Sequence, residues 1–220
     1  MQKSLHLGPN SFTLNVNSNW VPTFQLQDLY TGNCYLGPSI PAWLKSQKKL
    51  KDLDFSNASI SVKSNDLSMF FYYKQGLVVN IKGLDRKYTT LLFLLTSIDL
   101  SGNNLHGYLP RELMKLAGLI ILNLNRNHIS CQIPESISNL QQLSSLDLSS
   151  NNLFGPIPPS MLALDSLGFL NLSNNNFSGA IPYITGHMTT FQASSYAGNP
   201  ELCGGPLAKN CSGEVRSREN

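Results

Sequence analysis

The sequence predicts a solenoid of short parallel strands, one per repeated unit, each burying its apolar side against its neighbours. Two observations carry that prediction. Leucine and asparagine number 36 and 23 among 220 residues, over a quarter of the chain and too many for scatter. Asn103, Asn127, Asn151 and Asn175 recur every 24 residues, as do Leu100, Leu124, Leu148 and Leu172, and again Pro110, Pro134, Pro158 and Pro182. Self-similarity at a fixed period of this size marks a repeat architecture.

Each element follows from the spacing. A unit reads Leu-x-x-Leu-x-Leu-x-x-Asn-x-Leu, then a small residue, an apolar residue and Pro. In one unit these positions are Leu143, Leu146, Leu148, Asn151, Leu153, Gly155, Ile157 and Pro158. Leu-x-Leu alternation is a strand with one buried face. A strand that short cannot bury its apolar face alone, so units stack. The Asn falls where the chain leaves the strand, and its amide can satisfy backbone groups that would otherwise be buried unpaired. Repetition turns it into a ladder, for which Asn10, Asn103, Asn127, Asn151 and Asn175 are the asparagine rungs. Upstream the pattern decays: Cys34 and Ala58 occupy rung positions, and Thr31 stands at a core Leu position. From Ala58 to Asn103 is 45 residues, which places an interruption within 61–94, rich in aromatics such as Phe70 and Tyr72. The expected organisation is degenerate repeats over 1–60, the interruption over 61–94, four regular repeats over 95–190, a cap over 191–212 and a polar tail over 213–220.

Composition excludes several classes. Only 13% of residues are charged, and the net charge of +3 has no basic cluster outside Lys45 to Lys51, so nucleic-acid binding is not expected. The longest apolar run, Leu91 to Leu95, is far short of the ~20 residues a membrane helix needs. Met1 to Leu5 lacks the apolar segment of a signal peptide.

The segments from Ile98 to Leu105 and from Leu146 to Pro158 resemble plant extracellular leucine-rich repeats. The stretch Lys82-Gly83-Leu84-Asp85-Arg86-Lys87-Tyr88, and the tail from Phe191 through Asn199, Cys203 and Leu207, are similar to the island domain and C-terminal cap of the kinase-less receptor-like proteins, the group that includes receptors for fungal xylanase. The resemblance implies an α/β-type solenoid with a second short strand per 24-residue repeat and an irregular convex side. It also implies a plant immune-recognition role at the outer face of the plasma membrane, with a protein ligand or a co-receptor kinase ectodomain as partner. Membrane attachment would come only through a C-terminal helix absent from this sequence, which reads as a truncated part of a longer receptor. Cys203 and Cys211 look like a disulfide sealing the end of the core, and such a bond requires an oxidising compartment. Cys34 and Cys131, set four ladder steps apart or about 20 Å at strand spacing, are expected to be free thiols. Asn57, Asn171, Asn176 and Asn210 begin Asn-x-Ser glycan-acceptor motifs.

No catalytic pattern emerges, and no cofactor or metal is expected. His6, His106, His128 and His187 are dispersed in sequence. Asp99 and Asp147, two strands apart with Asn123 between, occupy the common Leu-Asp-Leu slot and read as a solvated strand face. Binding is expected on the concave face, through Asp99, Ile121, Asn123, Asn125, Arg126, Asp147, Phe169 and Asn171, of which Ile121 and Phe169 are exposed apolar side chains and so suggest a partner surface. A soluble apoplastic inhibitor of a wall-degrading enzyme, or an inert truncation product, are the alternative readings.

Overall fold

The computed structural model describes residues 3–8, 12–14, 16–17, 19–63, 77–81, 84–88, 95–182 and 190–211, with the backbone alone for 77–81 and 84–88. Asn10, Lys82, Gly83 and His187 lie outside the described residues, and of Tyr88 only the backbone is described.

Seven three-residue strands form one parallel sheet in the order β1 (Ser4–His6), β2 (Asp28–Tyr30), β3 (Asp52–Asp54), β6 (Ser97–Asp99), β8 (Ile121–Asn123), β10 (Ser145–Asp147) and β12 (Phe169–Asn171). The register is set by the central apolar residue: Leu5, Leu29, Leu53, Ile98, Leu122, Leu146 and Leu170 pair in succession. All but Leu5 and their companions Leu100, Leu124, Leu148 and Leu172 are buried in one continuous core. A fully buried leucine contributes about 1.5–3 kcal/mol, and that repeated gain favours the stack over isolated units.

The pairing of β3 with β6 spans 45 residues in a single strand step. The antiparallel hairpin of β4 (Leu77–Ile81) and β5 (Leu84–Tyr88) lies between them in sequence, and its last residue, Tyr88, pairs with Leu77. This corrects the distance between the remaining cysteines. Cys34 and Cys131 are three steps apart, because the 45-residue interval is one step, and both are free thiols.

Further strands pair outside the main sheet. β7 (His106–Gly107) pairs with β9 (His128–Ile129), while β11 (Phe154–Gly155), β13 (Asn176–Ala180) and β14 (Glu201–Cys203) form a three-stranded sheet. The convex side, expected to be irregular, holds 3-10 turns among the described residues, such as Glu135–Asn139 and Pro159–Ala163. The periodic prolines start these turns. The carbonyls of Pro110, Pro134 and Pro158 accept the N–H groups of Leu113, Ile137 and Met161 at 2.9–3.0 Å. A proline fixes φ where the turn begins, and loses no hydrogen bond because that position has no donor to contribute.

Candidate recognition site

The concave face is built on the rung asparagines. In each regular unit the side-chain oxygen of the Asn accepts a backbone N–H from the preceding unit: Leu105 to Asn127, Ile129 to Asn151 and Leu153 to Asn175, each at 3.0 Å. The Nδ2 group donates to three carbonyls, for Asn151 those of Leu124, Leu148 and Ser149 at 3.0–3.2 Å. Asn103 does the same across the 45-residue interval, accepting from Ala58 and Ile60 and donating to Phe55. A further rung is Asn199, which accepts from Phe177 at 3.0 Å and donates to Leu172 and Tyr196. It stands 24 residues after Asn175, inside the cap, and the period alone could have found it. At the Cys34 rung only the thiol reaches a carbonyl, that of Leu7 at 3.6 Å.

The residue before each rung takes a left-handed backbone: Asn33, Asn57, Arg126, Ser150 and Asn174 at φ +48 to +61°, with Gly102 and Gly198 at +64° and +74°. Asparagine and glycine tolerate this region best. At Gly102 the space is closed as well, since a Cβ there would lie 1.8 Å from the Asn57 Oδ1. Arg126 adopts the same turn at a steric cost, leaving its side chain exposed at the rim.

The outward strand residues then divide into two columns. In one, the polar side chains are committed to the strand's own exit turn. Asp99 Oδ1 accepts from the backbone N–H and hydroxyl of Ser101, Asp147 Oδ1 from those of Ser149, and Asn171 Oδ1 from those of Ser173. Asn123 Oδ1 accepts the Asn125 N–H, while its Nδ2 donates to Asp99 at 3.0 Å. Asn125 and Asn171 both donate to Asp147 Oδ2, at 3.2 and 3.5 Å. The two carboxylates are therefore held apart by amides rather than facing each other as an acid–base pair.

The other column is Ser97, Ile121, Ser145 and Phe169, in consecutive register. Ile121 is 41% and Phe169 49% exposed. Two strand spacings, about 9.5 Å, separate their backbones, with the small Ser145 between. The eight residues expected to bind thus fall into a committed frame and an apolar pair, with Arg126 on the rim.

Sequence reasoning stopped at β6 and so overlooked the concave residues of the earlier strands. Asp28, Tyr30, Asp52 and Asp54 share the face, with His6 stacked on Tyr30 at a centroid distance of 4.6 Å. Asp28 accepts the Ser4 hydroxyl and Asp52 the Thr96 hydroxyl. Partial burial raises the Tyr30 pKa, and the neighbouring carboxylates of Asp52, Asp28 and Asp54 raise it further. On the flank, His106 and His128, dispersed in sequence, are register partners. Cys131 replaces the glycine of other units, and its sulfur accepts the Leu109 N–H at 3.4 Å. Burial raises its pKa, with the Leu109 N–H pulling the other way. Cys203 is bonded to Cys211. Among the described residues no three His, Cys, Asp or Glu side chains gather as metal ligands, and no helix is long and apolar enough to cross a membrane.

Comparison with known proteins fits this geometry. Leucine-rich-repeat family models match residues 93–153 and 166–188. The receptor-like protein EIX2 of Solanum lycopersicum is 34% identical over 143 residues, covering 61% of this chain, which spans 13% of that protein's length. Among solved structures, a chain of the Arabidopsis thaliana BIR3–SERK2 complex aligns with TM-score 0.51 and 30% identity over 64% of this chain and 81% of that one. The Arabidopsis receptor kinase HAESA, solved with the peptide hormone IDA and the co-receptor SERK1, aligns with TM-score 0.53 and 29% identity over 91% of this chain and 38% of the other. The chain belongs to the plant leucine-rich-repeat receptor-like proteins.

Proposed function

We propose that this chain is a protein-recognition segment of a plant cell-surface immune receptor, and that its concave face over β8–β12 docks a co-receptor kinase ectodomain through Ile121 and Phe169. The observation that carries the reading is the division of the face. Hydrogen bonds hold the polar column in place, so the apolar pair is left as the part free to meet a partner. Solenoid proteins bind through such rigid concave surfaces, and large exposed apolar side chains near the centre of a patch supply most of the binding energy at protein interfaces. The complexes of HAESA with SERK1 and of BIR3 with SERK2 support a leucine-rich-repeat ectodomain as the partner class. The Cys203–Cys211 bond is consistent with an extracellular location.

The test is a pulldown of co-receptor ectodomains by the intact chain and by an Ile121→Ala, Phe169→Ala double variant. Loss of capture with an unchanged melting temperature is expected. Undiminished capture would contradict the docking site.

A further inference from the structure

We propose that Asn176 carries an N-linked glycan whose first sugar packs on the exposed ring of Phe154. This inference rests on the extracellular placement above. The four acceptor motifs differ in what the fold does with their amides. Asn171 uses both ends of its amide within the concave frame, accepting from Ser173 and donating to Asp147. Asn57 donates to Asn33, and its oxygen lies against Gly102. Asn210, inside the Cys203–Cys211 loop, and Asn176, at the start of β13, are both exposed with side-chain amides that make no hydrogen bond among the described residues, and of the two only Asn176 lies on a strand. Its backbone N–H is satisfied separately by the Leu153 carbonyl at 2.7 Å. A glycan on its Nδ2 would displace no contact of the fold.

A second observation gives the glycan a seat. Asn176 is the register partner of Phe154 on β11, and paired residues of adjacent strands project to the same side at about 4.8 Å. Phe154 is 44% exposed, an aromatic face in water with no ring partner among the described residues. The negative face of an aromatic ring attracts the polarised C–H groups of a pyranose, as it does other positive edges. In the transfer itself, Asn176 Nδ2 bonds to the anomeric carbon of a lipid-diphosphate-linked oligosaccharide, loses one proton, and the lipid diphosphate leaves. The flank bearing β11 and β13 would then be shielded by sugar, while the Ile121–Phe169 column, on the main sheet, stays bare.

The test expresses the full chain behind a cleavable secretion leader and treats the purified protein with a peptide N-glycosidase in 18O water, which marks each formerly occupied asparagine as labelled aspartate. Label at Asn176 is expected. Thermal melts of the intact glycoprotein then compare Asn176→Gln in two backgrounds. The expected loss is about 2–4 °C with Phe154 present and none with Phe154→Ser. A secreted, disulfide-bonded chain with Asn176 bare overturns this inference and leaves the recognition reading standing. Equal losses in both backgrounds overturn the packing on Phe154. A chain that enters the secretory lumen but folds only with Cys203 and Cys211 reduced overturns the extracellular reading and this inference together.

Discussion

Strands β2–β3 and strands β6–β12 build the same sheet with different means. In the regular half every unit carries an asparagine rung whose amide makes four hydrogen bonds or more, as Asn151 does to Ile129, Leu124, Leu148 and Ser149. In the earlier half the rung positions hold Cys34, with one weak contact, and Ala58, which has no side-chain polar group. Other residues take up part of the work there. Gln47 is fully buried, with its Oε1 accepting the Leu26 N–H at 2.8 Å and its Nε2 donating to the Phe24 carbonyl. Thr31, at a core leucine position, turns its hydroxyl to the Asp54 carbonyl. Apolar register is thus enough to align strands, whereas the rungs add a uniform polar spine. A backbone group left unpaired in the interior costs about 1–3 kcal/mol, so the halves should differ in rigidity more than in shape.

Breaking that spine is the sharpest perturbation. Replacing Asn127 and Asn151 together with Ala makes two regular units resemble the Ala58 unit, and should cost about 2–6 kcal/mol in urea unfolding, with either single change costing roughly 1–3 kcal/mol. A double variant as stable as the wild type would show that the spine contributes nothing beyond apolar stacking. The cap is the next test. Opening Cys203–Cys211 by serine substitution frees a short loop and should cost about 2–3 kcal/mol, exposing the end of the core at Leu202, which is fully buried against β13. A smaller effect of opposite sign is expected at the left-handed row: Arg126→Asn, with a side chain that tolerates φ near +52°, should stabilise by about 0.5–1 kcal/mol. The smallest difference separates the Cys131 thiol from an ordinary one. With its pKa raised by burial, Cys131 has less thiolate at pH 8 than an unperturbed cysteine, so iodoacetamide should label it more slowly than a model peptide thiol.

Most of the fold was legible in the sequence, because a constant period fixes register. The interval of 24 that aligns Leu122, Leu146 and Leu170 in sequence aligns them in space. Legibility fails where structure departs from the period or where side chains choose partners. The β4–β5 hairpin lies inside the 45-residue interval, where the broken period marks an interruption but not its antiparallel pairing. Asn199 keeps the interval but sits among cap residues such as Tyr196, where the leucine pattern has lapsed. Gln47 resembles any surface glutamine in a polar stretch, and only the backbone of Phe24 and Leu26 folding over it reveals its role. The candidate site was legible by position and not by state. Alternation puts Asp99, Asn123, Asp147 and Asn171 on the concave face, but their engagement with the exit turns two residues later depends on the left-handed row, which a list of outward residues does not contain.

The most direct test of concave-face recognition is photo-crosslinking from four positions, three exposed and one, Tyr30, half-buried. A photoreactive phenylalanine is placed in turn at Ile121, Phe169, Tyr30 and Phe154, and each chain is irradiated with the co-receptor ectodomain. Crosslinks from positions 121 and 169 alone are predicted. Crosslinks from position 30 or 154, with 121 and 169 silent, would contradict the account and move the partner to the acidic end of the sheet or to the flank.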